Sequence, residues 1–187
     1  MNVRRFIASM LVVAAILSTR LAAQSYATLG FVGTLGGGWQ VEVGEFGYMH
    51  GIHVGPLRSL MIGARLGSFI DEGAIVGGTR GFVGGGVLST RTGIASLADV
   101  GNETNPAALG LDLTIEVAGY AGTKSPLPQG SPWAAASVLP GLRVGGGDGL
   151  RYGLVVGPTV FFGNPTDVRA LLALRFELPL ARGKHHP

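Results

Sequence analysis

The residues of this chain that could do chemistry are arginines and carboxylates set singly into apolar or glycine-rich segments. Four of each stand out: Arg65, Arg80, Arg143 and Arg175 among the bases, and Glu42, Asp112, Glu116 and Glu177 among the acids. The two signs balance, and a buried charge must be paired to offset its loss of hydration. We therefore expect these eight residues to form a structural ion-pair network inside the fold. A narrow, gated polar path lined by the same residues is the functional alternative.

The histidines predict no site. His50 and His53 are three residues apart, which places them on opposite faces of a strand, and His185 and His186 close the chain. A serine beside His50 or His53 could imitate the Ser/His/acid set of a hydrolase, but no spacing supports it. Cysteine is absent, and the glycine clusters lack the Lys-Ser/Thr of a phosphate loop. We predict no catalytic residue, no cofactor and no metal.

The elements that must position these charges are strands. In Leu172–Leu180, four leucines and Phe176 alternate with Ala173, Arg175, Glu177 and Pro179, so one face is apolar and the other carries charge. Residues 60–67, 109–118 and 150–162 follow the same pattern, and weaker runs lie at 27–33, 39–46, 74–91 and 133–144. Glycine- and proline-rich turns separate the runs, with longer connections at Ala98–Pro106 and Thr123–Pro132. The pattern predicts an all-β fold of about eight strands.

Composition favours a barrel whose apolar face points outward. The apolar faces carry no charge for about ten residues, the length of a tilted membrane-spanning strand. The opposite faces are mostly Gly, Ala and Thr, too poor in charge for a surface covered by water. We therefore expect a closed antiparallel up-and-down transmembrane β-barrel. Six aromatic residues either form girdles at the two membrane surfaces or are ordinary strand residues: Trp39, Tyr48, Tyr152, Phe161, Phe162 and Phe176.

The N-terminal segment has the layout of a secretory signal peptide. Arg4 and Arg5 precede the apolar run Phe6–Leu17, and Leu21-Ala22-Ala23 offers a small-residue cleavage site. We expect residues 1–23 to be removed and residues 24–187 to form a single domain. The chain has 14 basic and 11 acidic residues, and three of the arginines belong to the signal. The mature chain is then neutral, and without a basic patch we expect no nucleic-acid partner.

Together these features resemble the small, eight-stranded, porin-like outer-membrane β-barrel proteins of Gram-negative-type bacteria, over about residues 25 to 180. The resemblance implies contact with outer-membrane lipid and recognition of the last strand by the barrel-insertion machinery. In that family the last strand usually ends at an aromatic residue that this machinery recognises. Phe176 and Leu180 resemble such an ending, although Ala181–Pro187 follow it. We expect a non-enzymatic protein of the bacterial outer membrane that is structural, adhesive or weakly pore-forming. The alternatives are a soluble periplasmic barrel that binds a small apolar ligand and a lipid-modifying outer-membrane enzyme.

Overall fold

The computed structural model describes residues 25–36, 39–54, 57–71, 81–102, 107–123, 125–127, 130–145 and 149–180, without the side chains of 39–44, 53–54, 57–59 and 69–71. These residues form nine strands and are all-β. Eight strands are long: β1 Ser25–Leu35, β2 Trp39–Val54, β3 Leu57–Asp71, β4 Gly81–Asp99, β5 Ala108–Gly119, β7 Ala134–Gly145, β8 Arg151–Phe162 and β9 Asp167–Pro179. The ninth, β6 (Ala121–Gly122), adds two residues beside β4.

The eight long strands close into a ring. Each pairs antiparallel with the next long strand along the chain, and β1 also pairs with β9. The pairing is staggered. If paired residues are followed from strand to strand once around the ring, a path that starts at the end of β8 arrives at the end of β9, which lies beside the start of β8. The residues on this path are Phe161, Ala135, Ala118, Val87, Gly63, Met49, Tyr26 and Pro179. Such a stagger means that the strands are inclined to the axis of the ring.

The ring has an apolar outer face and a polar inner face. Along β9, Leu172, Leu174 and Leu178 are exposed on the outside, whereas Arg175 and Glu177 are buried on the inside. The other three segments with clear alternation, 60–67, 109–118 and 150–162, are oriented in the same way, with their apolar side chains on the outer face. The structure thus confirms the two faces that the sequence pattern separated, and it places the charged one inside.

Several strand limits differ from the sequence pattern. β1 begins at Ser25 and β2 runs for 16 residues, well past Phe46. β4 was expected at 74–91, but its described part begins at Gly81 and continues to Asp99. Its last residues alternate poorly because two register shifts interrupt the pairing with β5. The connection expected at Ala98–Pro106 is correspondingly shorter, and Val100 and Gly101 both donate backbone hydrogen bonds to the carbonyl oxygen of Ala107.

The two ends of the ring differ in their connections. One end, here the terminal end, holds the start of β1, the end of β9 and the turns β2–β3, β4–β5 and β7–β8. The other end, here the loop end, holds the turns β1–β2, β3–β4 and β8–β9 and the longer segment between β5 and β7. Alternating direction of successive strands produces this division.

Glycine on the inner face lets some strands approach more closely than any side chain would allow. A Cβ at Gly63 would lie 1.9 Å from the backbone oxygen of Tyr48. That contact cannot be relieved by rotating a side chain, so β2 and β3 depend on glycine there. At Gly153, also on the inner face, the nearest atom would be 4.0 Å away.

We therefore predict opposite outcomes for Gly63→Ala and Gly153→Ala. Gly63→Ala should lower the free energy of unfolding by about 1–3 kcal/mol, because the backbone must move apart. Gly153→Ala should leave stability unchanged or raise it by up to about 1 kcal/mol, because alanine restricts the unfolded chain. Urea titration of both variants in the same detergent measures the difference. Equal stability of the two would contradict the close packing of β2 against β3.

Candidate functional site: the charged interior

Six of the eight predicted network residues are described, and all six have side chains that pair inside the ring: Arg65, Asp112, Glu116, Arg143, Arg175 and Glu177. Arg80 and the side chain of Glu42 lie outside the described residues. Each of the six belongs to a strand whose neighbouring positions turn outward, so strand alternation alone directs them inward.

Glu116 of β5 is the centre of the network. Its Oε1 lies 2.6 Å from Nη1 of Arg65, and Arg175 reaches both carboxylate oxygens at 3.1 and 3.2 Å. These side chains are 5%, 11% and 9% exposed. They come from β5, β3 and β9, and β5 is adjacent to neither of the other two in the ring. The cluster therefore ties distant strands together across the interior.

Glu45 of β2 joins the same cluster, and the sequence pattern missed it. Its Oε1 accepts a hydrogen bond from Nε of Arg175 at 3.2 Å and lies 3.7 Å from Nε of Arg65. Counted by strict alternation from Val43, Glu45 belongs to the apolar face. The β1–β2 register shifts at this point, so that Gly30 opposes Glu45 whereas Phe31 opposes Val43. The extra residue is Gly44, and the break in alternation at Glu45 was the available signal for a bulge.

A second group of pairs fills the terminal half of the ring. Arg91 of β4 donates from both terminal nitrogens to Glu177 of β9, the strand on the opposite side of the ring. Arg143 of β7 donates from Nε to Asp112 of β5 at 2.5 Å. Arg91 was not among the expected residues because the strand pattern ended there; the structure continues β4 past it. A bidentate pair of this kind fixes geometry as well as charge.

Two further arginines face inward at opposite ends of the ring. Arg151 donates to the hydroxyl of Tyr26 at 2.9 Å, and its guanidinium carbon lies 5.1 Å from the centre of that ring. Arg169 donates to Asp167 at 2.7 Å and also to the carbonyl oxygen of Gly36 at the loop end. Neither was among the eight expected network residues, although the alternation at 150–162 places Arg151 on the polar face.

The pairs leave little open space between them. Three cavities border the charged side chains, with volumes of about 30, 10 and 20 Å³. A water needs roughly 10–15 Å³ on this measure, so each cavity holds about one or two waters. Two hypotheses were stated for the charged residues, a structural ion-pair network and a polar path for solutes. The small volume of these cavities favours the network.

An apolar layer covers the network at the loop end. The segment after β6 enters the mouth of the ring, where Leu127 is 3% exposed and packs with Ala135 and Phe161. Tyr120 stacks on Phe161 with ring centres 6.1 Å apart, and Thr34 donates to the carbonyl oxygen of Pro126 at 3.5 Å. Phe161 therefore belongs to the interior and not to an outer girdle. The described part of the proline-rich connection expected at Thr123–Pro132 therefore forms a plug at the loop end of the ring.

His50 has a partner that sequence spacing could not reveal. The β1–β2 register places Ser25 opposite His50, and Oγ of Ser25 lies 2.9 Å from Nδ1 of His50. The hydroxyl of Tyr48 donates to the same Oγ at 3.0 Å. The side chain of His53 and all of His185 and His186 lie outside the described residues. Within the described part of the chain, no three His, Asp or Glu residues are grouped so that they could hold a metal ion.

Comparison with known proteins assigns no family: no protein-family model, no curated protein and no solved structure matches the chain. Among the residues that the structure describes, no helix is long and apolar enough to cross a membrane.

We predict that Glu116→Ala lowers the free energy of unfolding by about 3–5 kcal/mol, because it leaves the buried guanidinium groups of Arg65 and Arg175 without their main partner. The control is Asp99→Ala at the end of β4, where the residue is exposed. Its loss should change the free energy of unfolding by about 0.5 kcal/mol or less, as expected of surface substitutions. Urea unfolding of both variants gives the comparison, and equal losses would contradict a central role for Glu116.

Proposed function

We propose that this protein is a transmembrane β-barrel of a bacterial outer membrane whose sealed interior serves structure and not transport. The observation that carries the proposal is the inverted distribution of polarity. Arg175 and Glu177 are buried inside the ring, while the flanking Leu174 and Leu178 are 37% and 53% exposed on the outside. In water this arrangement would expose the apolar face and hide the charged one. In lipid the same arrangement is favourable.

The spacing of aromatic side chains on the outer face supports the proposal, because it matches the apolar band of a membrane barrel. Aromatic side chains stand near the loop end (Phe82, Trp133 and Phe162) and near the terminal end (Tyr48, Tyr152 and Phe176). Tyr152 and Phe162 are ten residues apart on β8, which is about 33 Å along a strand. At the usual inclination of about 35–45°, that length spans about 25 Å, the height of the apolar band of such barrels.

Pairs of aromatic rings support the two girdles. Trp133 packs against Phe162 with ring centres 6.2 Å apart, and Trp133 is 68% exposed. Tyr152 meets Phe176 edge to face at 5.5 Å. Exposed aromatic rings at both ends of a leucine-rich band are typical of membrane barrels, because such rings prefer the interface between lipid and water. The side chain of Trp39 lies outside the described residues.

A soluble ligand-binding barrel and a weak pore have less support. A soluble barrel that binds an apolar ligand needs an apolar cavity of some hundreds of Å³. Here the three cavities that border the ion pairs, among the residues that the structure describes, are instead about 30 Å³ or less. A weak pore would need two movements. The plug that contains Leu127 would have to leave the mouth of the ring, and the ion pairs across the interior would have to separate. An anchoring, structural or adhesive role needs neither movement.

Two features support the outer membrane as the location: segment 1–23, which resembles a signal peptide, and the last strand of the ring. β9 ends in alternating leucines with Phe176, the feature through which insertion machinery would recognise the chain. Leu180 continues the pattern, and its backbone N–H donates to the carbonyl oxygen of Ser25, which joins the last strand to the first at the terminal end.

The proposal predicts that the full-length protein, produced with its signal segment in a Gram-negative host, fractionates with the outer membrane. On a detergent gel the unheated protein should migrate differently from the boiled one, because the closed ring resists the detergent until heated. Fractionation with the periplasm, or a detergent-free soluble form with one mobility, would contradict it.

A further inference from the structure

Three polar side chains form a hydrogen-bonded group on the largely apolar outer face. Ser25, Tyr48 and His50 face outward, because their neighbours Tyr26 and Met49 are buried inside the ring. The hydroxyl of Tyr48 lies 3.0 Å from Oγ of Ser25, which lies 2.9 Å from Nδ1 of His50. The group uses no charge of the interior network and lies at the terminal end, apart from it.

The direction is fixed for one of these two hydrogen bonds. Tyr48 donates its proton to a lone pair of Ser25 Oγ, so the single proton of the serine is available for Nδ1 of His50. In the tautomer whose Nδ1 carries no hydrogen, the imidazole accepts the hydrogen bond from the serine. A serine hydroxyl that donates to an imidazole nitrogen is the arrangement in which histidine can act as a general base and make the serine a nucleophile.

The backbone around Ser25 fixes this geometry. Ser25 pairs with His50 in the β1–β2 register, and its carbonyl oxygen accepts a 2.9 Å hydrogen bond from Leu180 N–H. The hydroxyl is therefore carried by paired strands and not by a loose terminus. A site built on rigid strands holds reacting atoms more accurately than one built on a loop.

The position of the group defines what could reach it, and here the argument rests on the proposed function. If the outer face meets lipid, Ser25 lies at the terminal-end girdle, at the same end of the ring as Tyr152. That is the level of the headgroups and of the ester bonds between glycerol and the acyl chains. Among compounds with an electrophilic carbonyl, lipid acyl esters are the ones that a membrane presents at this depth.

We propose that Ser25, His50 and Tyr48 form an acyl-ester hydrolase site on the outer face, with membrane phospholipid as substrate. Ser25 Oγ attacks the ester carbonyl as His50 Nδ1 takes the serine proton. As the serine oxygen becomes bonded to the acyl carbon, the hydroxyl of Tyr48 turns its single proton from Ser25 Oγ to the developing oxyanion. The C–O bond to glycerol breaks, and His50 returns the proton to the departing alkoxide, which releases lysophospholipid. Water, deprotonated by His50, then attacks the acyl-serine ester. The bond between the acyl carbon and Ser25 Oγ breaks, the fatty acid leaves, and His50 returns the proton to Ser25 Oγ.

This site would replace the expectation of a non-enzymatic protein. The interior would remain the structural part, holding the strands that carry the three side chains. A cross-strand hydrogen bond with no chemical role would also hold β1 to β2, so the test needs a readout that a structural contact would not change.

The experiment uses the folded, heat-modifiable protein in vesicles of phosphatidylethanolamine and phosphatidylglycerol that contain a phospholipid with a fluorescent acyl chain. A fluorophosphonate probe should label Ser25, located by mass spectrometry of the peptide, and fluorescent fatty acid should be released. Ser25→Ala should abolish both signals. His50→Ala should slow labelling by about 10²–10⁴-fold, as expected when a general base is removed, and Tyr48→Phe should slow it by at least tenfold.

The matched control is Ser68→Ala, which removes another outward-facing serine, on β3, and should change neither signal. Heat-dependent mobility of every variant shows that it is folded. A heat-modifiable, vesicle-inserted wild-type protein that is not labelled and releases no fatty acid would overturn this inference and leave the membrane barrel standing. Labelling that persists in Ser25→Ala would overturn it as well. A protein that fails to insert would instead contradict the proposed function.

Discussion

The structure depends on one electrostatic constraint: charges enclosed by the ring must find partners within it. Glu116 meets this constraint for two arginines at once, and Glu45 provides a second carboxylate to the same pair. Arg91 and Glu177 satisfy it across the full width of the ring. Each such pair loses hydration on folding, and removing a single partner costs far more than the pair contributes. The interior pairs therefore make the fold sensitive to the loss of any single partner.

Glycine and the bulge make the constraint geometrically possible. Gly30 stands beside the side chains of Arg175 and Glu45, and Gly47 beside that of Arg65; a Cβ at Gly47 would lie 2.8 Å from Cγ of Arg65. The long arginine stems thus occupy the volume that larger residues would take. The register shift at Gly44 turns Glu45 from the outer face to the inner one. Small residues and one inserted residue bring four ionised groups into contact without widening the ring.

Much of this could be predicted from alternation. The runs at Leu172–Leu180 and 109–118 predicted both the strands and their charged faces, because a strand with one apolar face has a strict period of two. Glu45 was missed because a bulge changes that period, and Arg91 because poor alternation hid the end of β4. The contact between Ser25 and His50 depends on the register of two strands, which neither residue encodes alone. The alternation of residue types identifies the two faces of each strand. Which side chains meet on different strands depends on how the strands pair in three dimensions.

The most direct test of the central claim, that the outer face meets lipid, uses the absence of native cysteine. Val156 and Leu172 are paired neighbours near the middle of the outer face, 48% and 41% exposed. Single cysteines at these positions, labelled with a small fluorophore, should be strongly quenched by vesicle lipids brominated on the acyl chains. A label at Ser96, exposed near the end of β4, should be quenched by aqueous iodide instead. Iodide quenching at Val156 and Leu172, with no effect of brominated lipid, would contradict the account.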